Sequence, residues 1–111
     1  MSKALTLGGL EQLVLIAILR LQDQAYGVSI RTEIAERTGR RISPGALYTT
    51  LDRLEDKGAL RSRVGDPSPE RGGRAKRYYS VTASGGRAVV FAQRAFHNLL
   101  EGLDLTGLSY A

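Results

Sequence analysis

Several residue types are absent or scarce in this chain of 111 residues, which has no cysteine, no tryptophan and a single histidine, His97. Without cysteine the chain forms no disulfides and offers no thiolate ligands to a metal. His97 has no second imidazole with which to share a metal ion, and the sequence contains no GxxxxGK(S/T) phosphate-binding loop. We therefore expect neither a cofactor nor an enzymatic activity.

Long apolar runs are missing as well. The longest, residues 13–19, is far shorter than the ~20 residues that a membrane-spanning helix needs. The amino terminus lacks a basic region followed by a small-residue cleavage site, which argues against a signal peptide. Hydrophobic residues make up 42% of the chain and charged residues 24%, as in an ordinary soluble domain. These features predict a cytoplasmic protein with one hydrophobic core and no membrane contact.

Positive charge is concentrated in two segments. The net charge is +5, and the excess lies in residues 31–42 and 61–77, whereas the other parts of the chain are close to neutral. Clustered basic residues are typical of a surface that contacts a polyanion. The alternative is a hairpin whose charges are merely solvated, but the helix between the two segments favours phosphate contact.

That helix is predicted over residues 43–58. Ser43 is a suitable N-cap, Pro44 suits the first helical turn, and Gly58 supplies a left-handed stop. The apolar residues recur at helical spacing and predict a buried stripe of Leu47, Leu51 and Leu54. The predicted opposite face is small or hydrogen-bonding and consists of Ser43, Gly45, Ala46, Thr49, Thr50 and Arg53. Such a face can approach the edges of bases closely.

A basic hairpin follows, with strands expected at residues 60–64 and 76–81 and with Tyr78 and Tyr79 on opposite faces of the second strand. Prolines and glycines between the strands predict an irregular tip. We expect Arg74, Lys76 and Arg77 to contact phosphates. The sequence leaves open whether Arg74 enters a minor groove or attracts the backbone only from a distance.

Two further helices are expected ahead of this unit. Residues 7–21 are apolar nearly all round, so one small domain cannot cover them fully, and a partner protomer is expected to cover Leu15 and Ile18. Residues 27–37 form the next helix, whose predicted inward residues are Val28, Ile30, Ile34 and Ala35. A short glycine-containing turn joins it to the helix at 43–58, which is a helix-turn-helix pattern.

A last helix is predicted over residues 83–102. Its apolar residues fall at the a and d positions of a heptad and are Val89, Ala92, Phe96, Leu99 and Leu103. Such a seam can pack within the protomer, but the surplus apolar surface of the first helix favours a homodimer.

Four segments carry a family resemblance in their order and spacing: YGVSI at 26–30, PGALYTTLDRLEDKGAL at 44–60, GGRAKRYYSVT at 72–82 and ASG at 83–85. They resemble the PadR-type winged-helix transcription regulators, in their short form with a single C-terminal helix. The resemblance implies an α+β, mostly helical fold. It places a winged helix-turn-helix domain with a two-stranded wing at residues 1–81, and a C-terminal dimerisation helix and tail at 82–111.

Together these observations predict a sequence-specific DNA-binding transcriptional regulator, a dimeric repressor acting on an inverted-repeat operator. The resemblance also implies that some relatives respond to small aromatic or cationic effectors, so an effector site at the dimer interface is a further expectation. The alternative is a winged-helix module that docks a partner protein or RNA. Acidic residues near the end of the recognition helix, Asp52, Glu55 and Asp56, keep that alternative open.

The predicted DNA contacts are Tyr26, Ser43, Pro44, Gly45, Tyr48, Thr49, Thr50, Arg53, Arg74, Lys76 and Arg77. The hydroxyls are expected at base edges, and Arg53 at a guanine or a phosphate. For Tyr48 the resemblance implies a contact near the DNA, while packing beside Leu47 is equally compatible with the sequence. Tyr26 suits either a phosphate contact or a packed position at a helix start.

Overall fold

Four α-helices and one antiparallel hairpin make up the part of the chain that the computed structural model describes, residues 5–67 and 75–110. Helix α1 (Gly9–Leu21) leads through a 3₁₀ turn (Gln22–Gln24) into α2 (Gly27–Thr38), which is followed by α3 (Pro44–Asp56). The hairpin consists of β1 (Leu60–Pro67) and β2 (Ala75–Val81). Helix α4 (Ala83–Leu100) and a 3₁₀ turn (Thr106–Tyr110) end the described chain. The predicted α+β winged helix-turn-helix fold is confirmed.

Local signals define where the helices begin and end. The Ser43 hydroxyl accepts a hydrogen bond from the Ala46 N–H (3.1 Å) and so caps α3. The Thr82 hydroxyl caps α4 in the same way by accepting from the Gly85 N–H (3.1 Å). Gly39 and Gly58 follow α2 and α3 with φ of +74° and +79°, a conformation that glycine adopts at little cost.

The core lies where α1, α2 and α3 meet the base of the hairpin. Each helix contributes a stripe, and the fully buried side chains are Val14, Leu15, Ile18, Ile30, Leu47, Leu51 and Leu54. Leu60, Tyr79 and Val89 extend this cluster to the hairpin and α4. Removing this apolar surface from water is the main source of stability for such a fold.

In α1 and α2, sequence predictions about burial were wrong at three residues. Leu15 and Ile18 were expected at a dimer interface, but they are 0% and 1% exposed within the single protomer, because α2, α3 and α4 surround α1. Val28 was expected to face inward, yet it is 55% exposed. An apolar residue near a helix start does not by itself reveal which side the core lies on.

The hairpin is joined to the helices along one edge. Its strands pair from Leu60↔Val81 to Val64↔Arg77, and an irregularity follows before Pro67↔Ala75. The Tyr79 N–H donates to the Ala25 carbonyl (2.9 Å), and an isolated bridge joins Tyr26 to Tyr78. The segment before α2 therefore acts as a short third strand and attaches the hairpin to the helix-turn-helix.

Helix α4 begins against the hairpin and continues beyond the core. The Thr82 N–H donates to the Ala59 carbonyl (3.0 Å), and Gly85 lies so close to that carbonyl that a Cβ would collide with it. Ala88 and Val89 are buried, whereas from Val90 to the end of the helix the residues are exposed except for the half-buried Ala92. No helix within the described residues is long and apolar enough to cross a membrane.

Candidate nucleic-acid interface

The exposed face of α3 changes in character along its length. The stripe of Leu47, Leu51 and Leu54 is buried, and the outward residues near the amino end are Gly45 and Thr49. Towards the carboxyl end three exposed residues are acidic, Asp52, Glu55 and Asp56, and outnumber the exposed Arg53. Because carboxylates are repelled by phosphates, only the first half of α3 is suited to enter a groove of DNA.

Thr50 does not belong to this exposed face, contrary to the sequence prediction. It is 6% exposed, and its hydroxyl donates to the Ala46 carbonyl one turn earlier (2.8 Å). One residue corresponds to about 100° around a helix, so adjacent threonines point in different directions. Thr49 remains exposed, together with Ser43, Pro44 and Gly45 at the helix start.

Tyr48 extends from α3 across the start of α2. Its side chain is 49% exposed, and its hydroxyl lies directly over Gly27, where an added Cβ would collide with it. It is therefore not buried beside Leu47. The contact brings the first half of α3 next to the amino end of α2, where Tyr26 is the N-cap residue.

Tyr26 is in turn the first member of a cluster at the base of the hairpin, which we call the wing-root stack and define as Tyr26, Tyr78, Arg63 and Lys76. The Tyr26 and Tyr78 rings lie 5.7 Å apart in an edge-to-face arrangement. Lys76 Nζ is 4.1 Å from the centroid of the Tyr26 ring, and Arg63 Cζ is 4.7 Å from that of Tyr78. These are cation–π distances. Lys76 thus lies beside the amino end of α2, and Arg63 is connected to that end through Tyr78.

The remaining predicted cations lie in different surroundings. Arg77 donates to the Ser62 hydroxyl (3.1 Å), which donates to the Glu55 carboxylate (2.9 Å), so Arg77 lies near the acidic end of α3. Arg53 is exposed, and its charge helps to lower the pKa of Glu11 on α1. Arg74 lies outside the described residues.

Two arginines in the turn before α3 were missing from the predicted contacts. Arg40 and Arg41 are exposed and form no ion pair among the described residues. By contrast, Arg31 donates to the Ile42 carbonyl (2.8 Å) and holds the turn, while Arg37 is paired with Glu33. The local charge excess at residues 31–42 was the signal in the sequence, but it did not distinguish the free cations from the structural ones.

The predicted dimer residues on α4 divide into two groups. Val89 packs into the core of its own protomer and Ala92 is half-buried at the edge of it. Phe96 and Leu99 continue the same stripe along α4 beyond the core and are exposed, Leu99 by 79%. Leu103 was predicted on this stripe, but it lies outside the helix, because α4 ends at Leu100 and the chain turns at Gly102 with a φ of +82°. A second apolar region lies between α4 and the end of α1, where Leu19, Val90 and Phe91 line an open groove of about 630 Å³.

No cluster of carboxylates and imidazole that could hold a metal occurs in the described parts of the chain. The surface instead combines a small, hydrogen-bonding helix start with flanking cations. Such a surface suits a nucleic-acid partner.

Comparisons with known proteins agree with this geometry. Residues 15–90 match the model of the transcriptional regulator PadR-like family. The chain is 40% identical over 79 residues to the transcriptional regulator Rv3488 of Mycobacterium tuberculosis, an alignment that covers 69% of this chain and 67% of that protein.

Solved structures show the same fold. A PadR family transcriptional regulator from Eggerthella lenta superposes with a TM-score of 0.70 at 29% identity, over 84% of this chain and 76% of that one. A Streptococcus transcriptional regulator gives a TM-score of 0.66 at 27% identity, over 81% and 83% of the two chains. The capped α3, the hairpin joined to α2 and the family match together lead to one conclusion: this chain is a non-enzymatic transcriptional regulator that belongs to the PadR-like family.

Proposed function

We propose that the protein binds duplex DNA sequence-specifically as a homodimer and represses transcription from an inverted-repeat operator. One observation carries the proposal: the first half of α3, the start of α2 and the wing-root stack lie side by side. Tyr48 contacts Gly27, and Tyr26 contacts Tyr78 and Lys76. A groove-reading surface is thereby placed next to cations that can hold the flanking phosphates.

In this proposal the start of α3 enters the major groove. Pro44 and Gly45 add little bulk and let the helix approach closely, and the exposed Thr49 hydroxyl and methyl group face the bases. The Ser43 oxygen accepts from Ala46, so its own proton is available for a base edge or a phosphate. Tyr48 lies beside them and is suited to a contact with the DNA backbone.

The cations around this surface are assigned to phosphates. Arg40 and Arg41 precede the amino end of α3, and Lys76 lies beside Tyr26 at the amino end of α2. We add Arg74 and Arg53 as phosphate contacts, together with Arg77, which retains N–H donors after its bond to Ser62. Such contacts supply affinity with little sequence information.

We further propose that α4 forms the dimer interface. The exposed Phe96 and Leu99 continue the stripe of α4 that already packs on the protomer's own core, and Leu103 lies exposed just past the end of the helix. Residues 1–81 then form the DNA-binding unit and residues 82–111 the dimerisation unit. A two-fold dimer places its two recognition helices in successive major grooves about 34 Å apart, which requires an inverted repeat.

The groove beside Leu19, Val90 and Phe91 is our candidate for an effector site next to that interface. It is apolar, and Arg87 and Arg94 lie at its rim. A ligand that binds there better in one spacing of the recognition helices than in another would shift the DNA affinity. Ligand-dependent release of the operator is therefore part of the proposal.

The test is binding to the duplex upstream of the protein's own gene, titrated with salt beside a random duplex of equal length. We expect a preference for the native sequence of about 10³-fold or more. Equal and steeply salt-dependent binding to both duplexes would reject sequence specificity on this DNA. Absence of binding to either would favour the alternative of a winged-helix module that docks a partner protein or RNA.

A further inference from the structure

One member of the wing-root stack, Tyr78 of β2, contacts both the other strand of the hairpin and the segment before α2. The Tyr78 ring lies against the Tyr26 ring on one side and below the Arg63 guanidinium on another. Tyr78 also forms the bridge that joins β2 to the segment before α2. It therefore connects both strands of the hairpin to the helix-turn-helix.

A second observation concerns Gly65 on β1, which the Tyr78 ring covers. A Cβ added at Gly65 would lie 2.6 Å from Cε2 and 3.1 Å from Cδ2 of that ring. The backbone of Gly65 is not in the left-handed region, so its conformation alone would accept another residue. The absence of a side chain at this position instead leaves room for the ring, within the irregularity between Val64 and Pro67.

The direction of the hairpin depends on contacts of this kind. A two-stranded hairpin has little stability of its own, and the side chains that anchor this one to the core, Leu60, Tyr79 and Val81, all lie near its base. Those anchors lie on the face of the sheet opposite to Tyr78, because successive residues of a strand point to opposite faces. The wing-root stack therefore supports the other face.

We propose that Tyr78 is a positioning residue for DNA binding. Its ring, seated on Gly65 and held between Tyr26 and Arg63, fixes the direction of the hairpin relative to α3, so that the basic residues of the hairpin reach phosphates while α3 reads the bases. The inference rests on the proposed function. Tyr78 acts through the ring and requires no contact of its own with DNA.

The test compares Tyr78→Leu with Tyr78→Phe in salt-titrated binding to the preferred duplex. Neither substitution removes a charge, so a change in the slope of log affinity against log salt reports a change in how many phosphates the existing cations reach. We expect Tyr78→Phe to keep the wild-type slope. Tyr78→Leu should flatten it by about 2, so that its affinity deficit shrinks about 16-fold between ~50 and ~200 mM salt.

Gly65→Ala provides an independent variant, because it removes no ring and no charge and only displaces the Tyr78 ring. We expect its slope to flatten in the same direction, whereas Gly9→Ala, at a glycine with no neighbouring atom within 4 Å of an added Cβ, should keep the wild-type slope. Thermal unfolding of each variant identifies any that is simply unfolded.

Three outcomes would overturn the inference. If Tyr78→Leu weakens binding by the same factor at all salt concentrations, the residue only stabilises the fold. If Tyr78→Phe loses as much affinity as Tyr78→Leu, the hydroxyl contacts DNA directly. If Gly65→Ala leaves the slope unchanged, the position of the ring does not control the hairpin. Failure of the wild-type protein to bind DNA would instead contradict the proposed function itself.

Discussion

Thr49 and Thr50 are neighbours on α3, but only Thr49 reaches the surface. The buried Thr50 packs its methyl group into the core and satisfies its hydroxyl within the helix, by donating to Ala46. The exposed Thr49 has no such internal task and is available to a partner. At the scale of single residues, a rotation of about 100° therefore separates a stabilising residue from a candidate reader of bases.

Substituting each threonine by alanine should separate these two roles. We expect Thr50→Ala to lower the free energy of unfolding by about 1–2 kcal/mol, since it removes buried apolar surface and leaves a small cavity. Thr49→Ala should leave the stability unchanged within about 0.5 kcal/mol and reduce the preference for the native duplex over a mismatched one. Chemical denaturation and competition binding measure the two effects. A reversed pattern would show that the assignment of the two faces is wrong.

Gly85 and Gly86 form a second pair of neighbours with opposite constraints. An added Cβ at Gly85 would collide with the Ala59 carbonyl, which belongs to the backbone and cannot easily move, whereas Gly86 has no atom within 4 Å of that position. We expect Gly85→Ala to destabilise the fold by about 1–3 kcal/mol through overpacking. Gly86→Ala should stabilise it by about 0.5–1 kcal/mol, because alanine favours the helix more than glycine does. Equal effects of the two substitutions would contradict the close approach of α4 to the Ala59 carbonyl.

At the scale of elements, a polar contact closes the gap between the start of α1 and the end of α3. Lys57 Nζ donates to both oxygens of Glu11 (2.8 Å each) and to the Thr6 carbonyl (2.9 Å). The Glu11 carboxylate also accepts from the Gly8 N–H (2.8 Å) and so caps α1. The Glu11 side chain is only 12% exposed, so this ion pair is shielded from solvent more than an ordinary surface pair.

This contact should make stability depend on acid pH. Burial acts to raise the pKa of Glu11, but the hydrogen bonds from Lys57 and Gly8 outweigh it and hold the pKa below its ordinary value of 4.5. A carboxyl whose pKa is lowered on folding contributes stability above the ordinary pKa, and the contribution is lost as the pH falls through the lowered value. We therefore expect the wild-type protein to lose more stability than Glu11→Gln between about pH 6 and pH 3.

Denaturant titrations of both proteins across that range measure the difference. Glu33 and Asp104, whose pKa values are also lowered by hydrogen bonds, are present in both proteins, so they cancel. A Lys57→Met variant should also make the free energy of unfolding depend less on pH than it does in the wild type. Parallel stability profiles of the wild type and Glu11→Gln would show that the contact has no effect on folding.

Elements with strong local signals could be predicted closely from the sequence. Ser43, Pro44 and Gly58 defined α3, and the turn residues separated the strands. Features that depend on tertiary packing could not. The first helix is apolar nearly all round, so its sequence did not reveal that Leu15 and Ile18 face the protomer's own core. The wing-root stack joins Tyr26 to Tyr78 across a long stretch of sequence, and no local pattern indicates that contact.

At the scale of the whole molecule, the protomer is more extended than its length alone requires. Its radius of gyration is 16.1 Å, compared with about 13 Å for a compact domain of this size. The second half of α4 contributes an exposed apolar stripe with no covering element among the described residues. A surface of this kind in a transcriptional regulator is the main structural argument for the proposed dimer.

Phe96→Asp should break that dimer, because it would place an unpaired charge in the apolar seam. Asn98→Asp is a matched control, since it changes the charge by the same amount on another side of the same helix. We expect Phe96→Asp to be monomeric in sedimentation equilibrium and to lose affinity for the inverted repeat by about 10²-fold or more. The control should remain dimeric. A dimeric Phe96→Asp protein would exclude this seam as the interface.

The divided stripe of α4 has a consequence for gene control. If one half of the stripe folds with its own protomer and the other half requires a second copy, the thermal midpoint of the protein rises with its concentration. Two chains must then associate before their recognition helices have the spacing that an operator with two half-sites requires. The occupancy of that operator therefore rises more than proportionally with the amount of protein. A modest fall in expression would release the operator sharply, and the turnover of unpaired chains by proteases would accelerate that release.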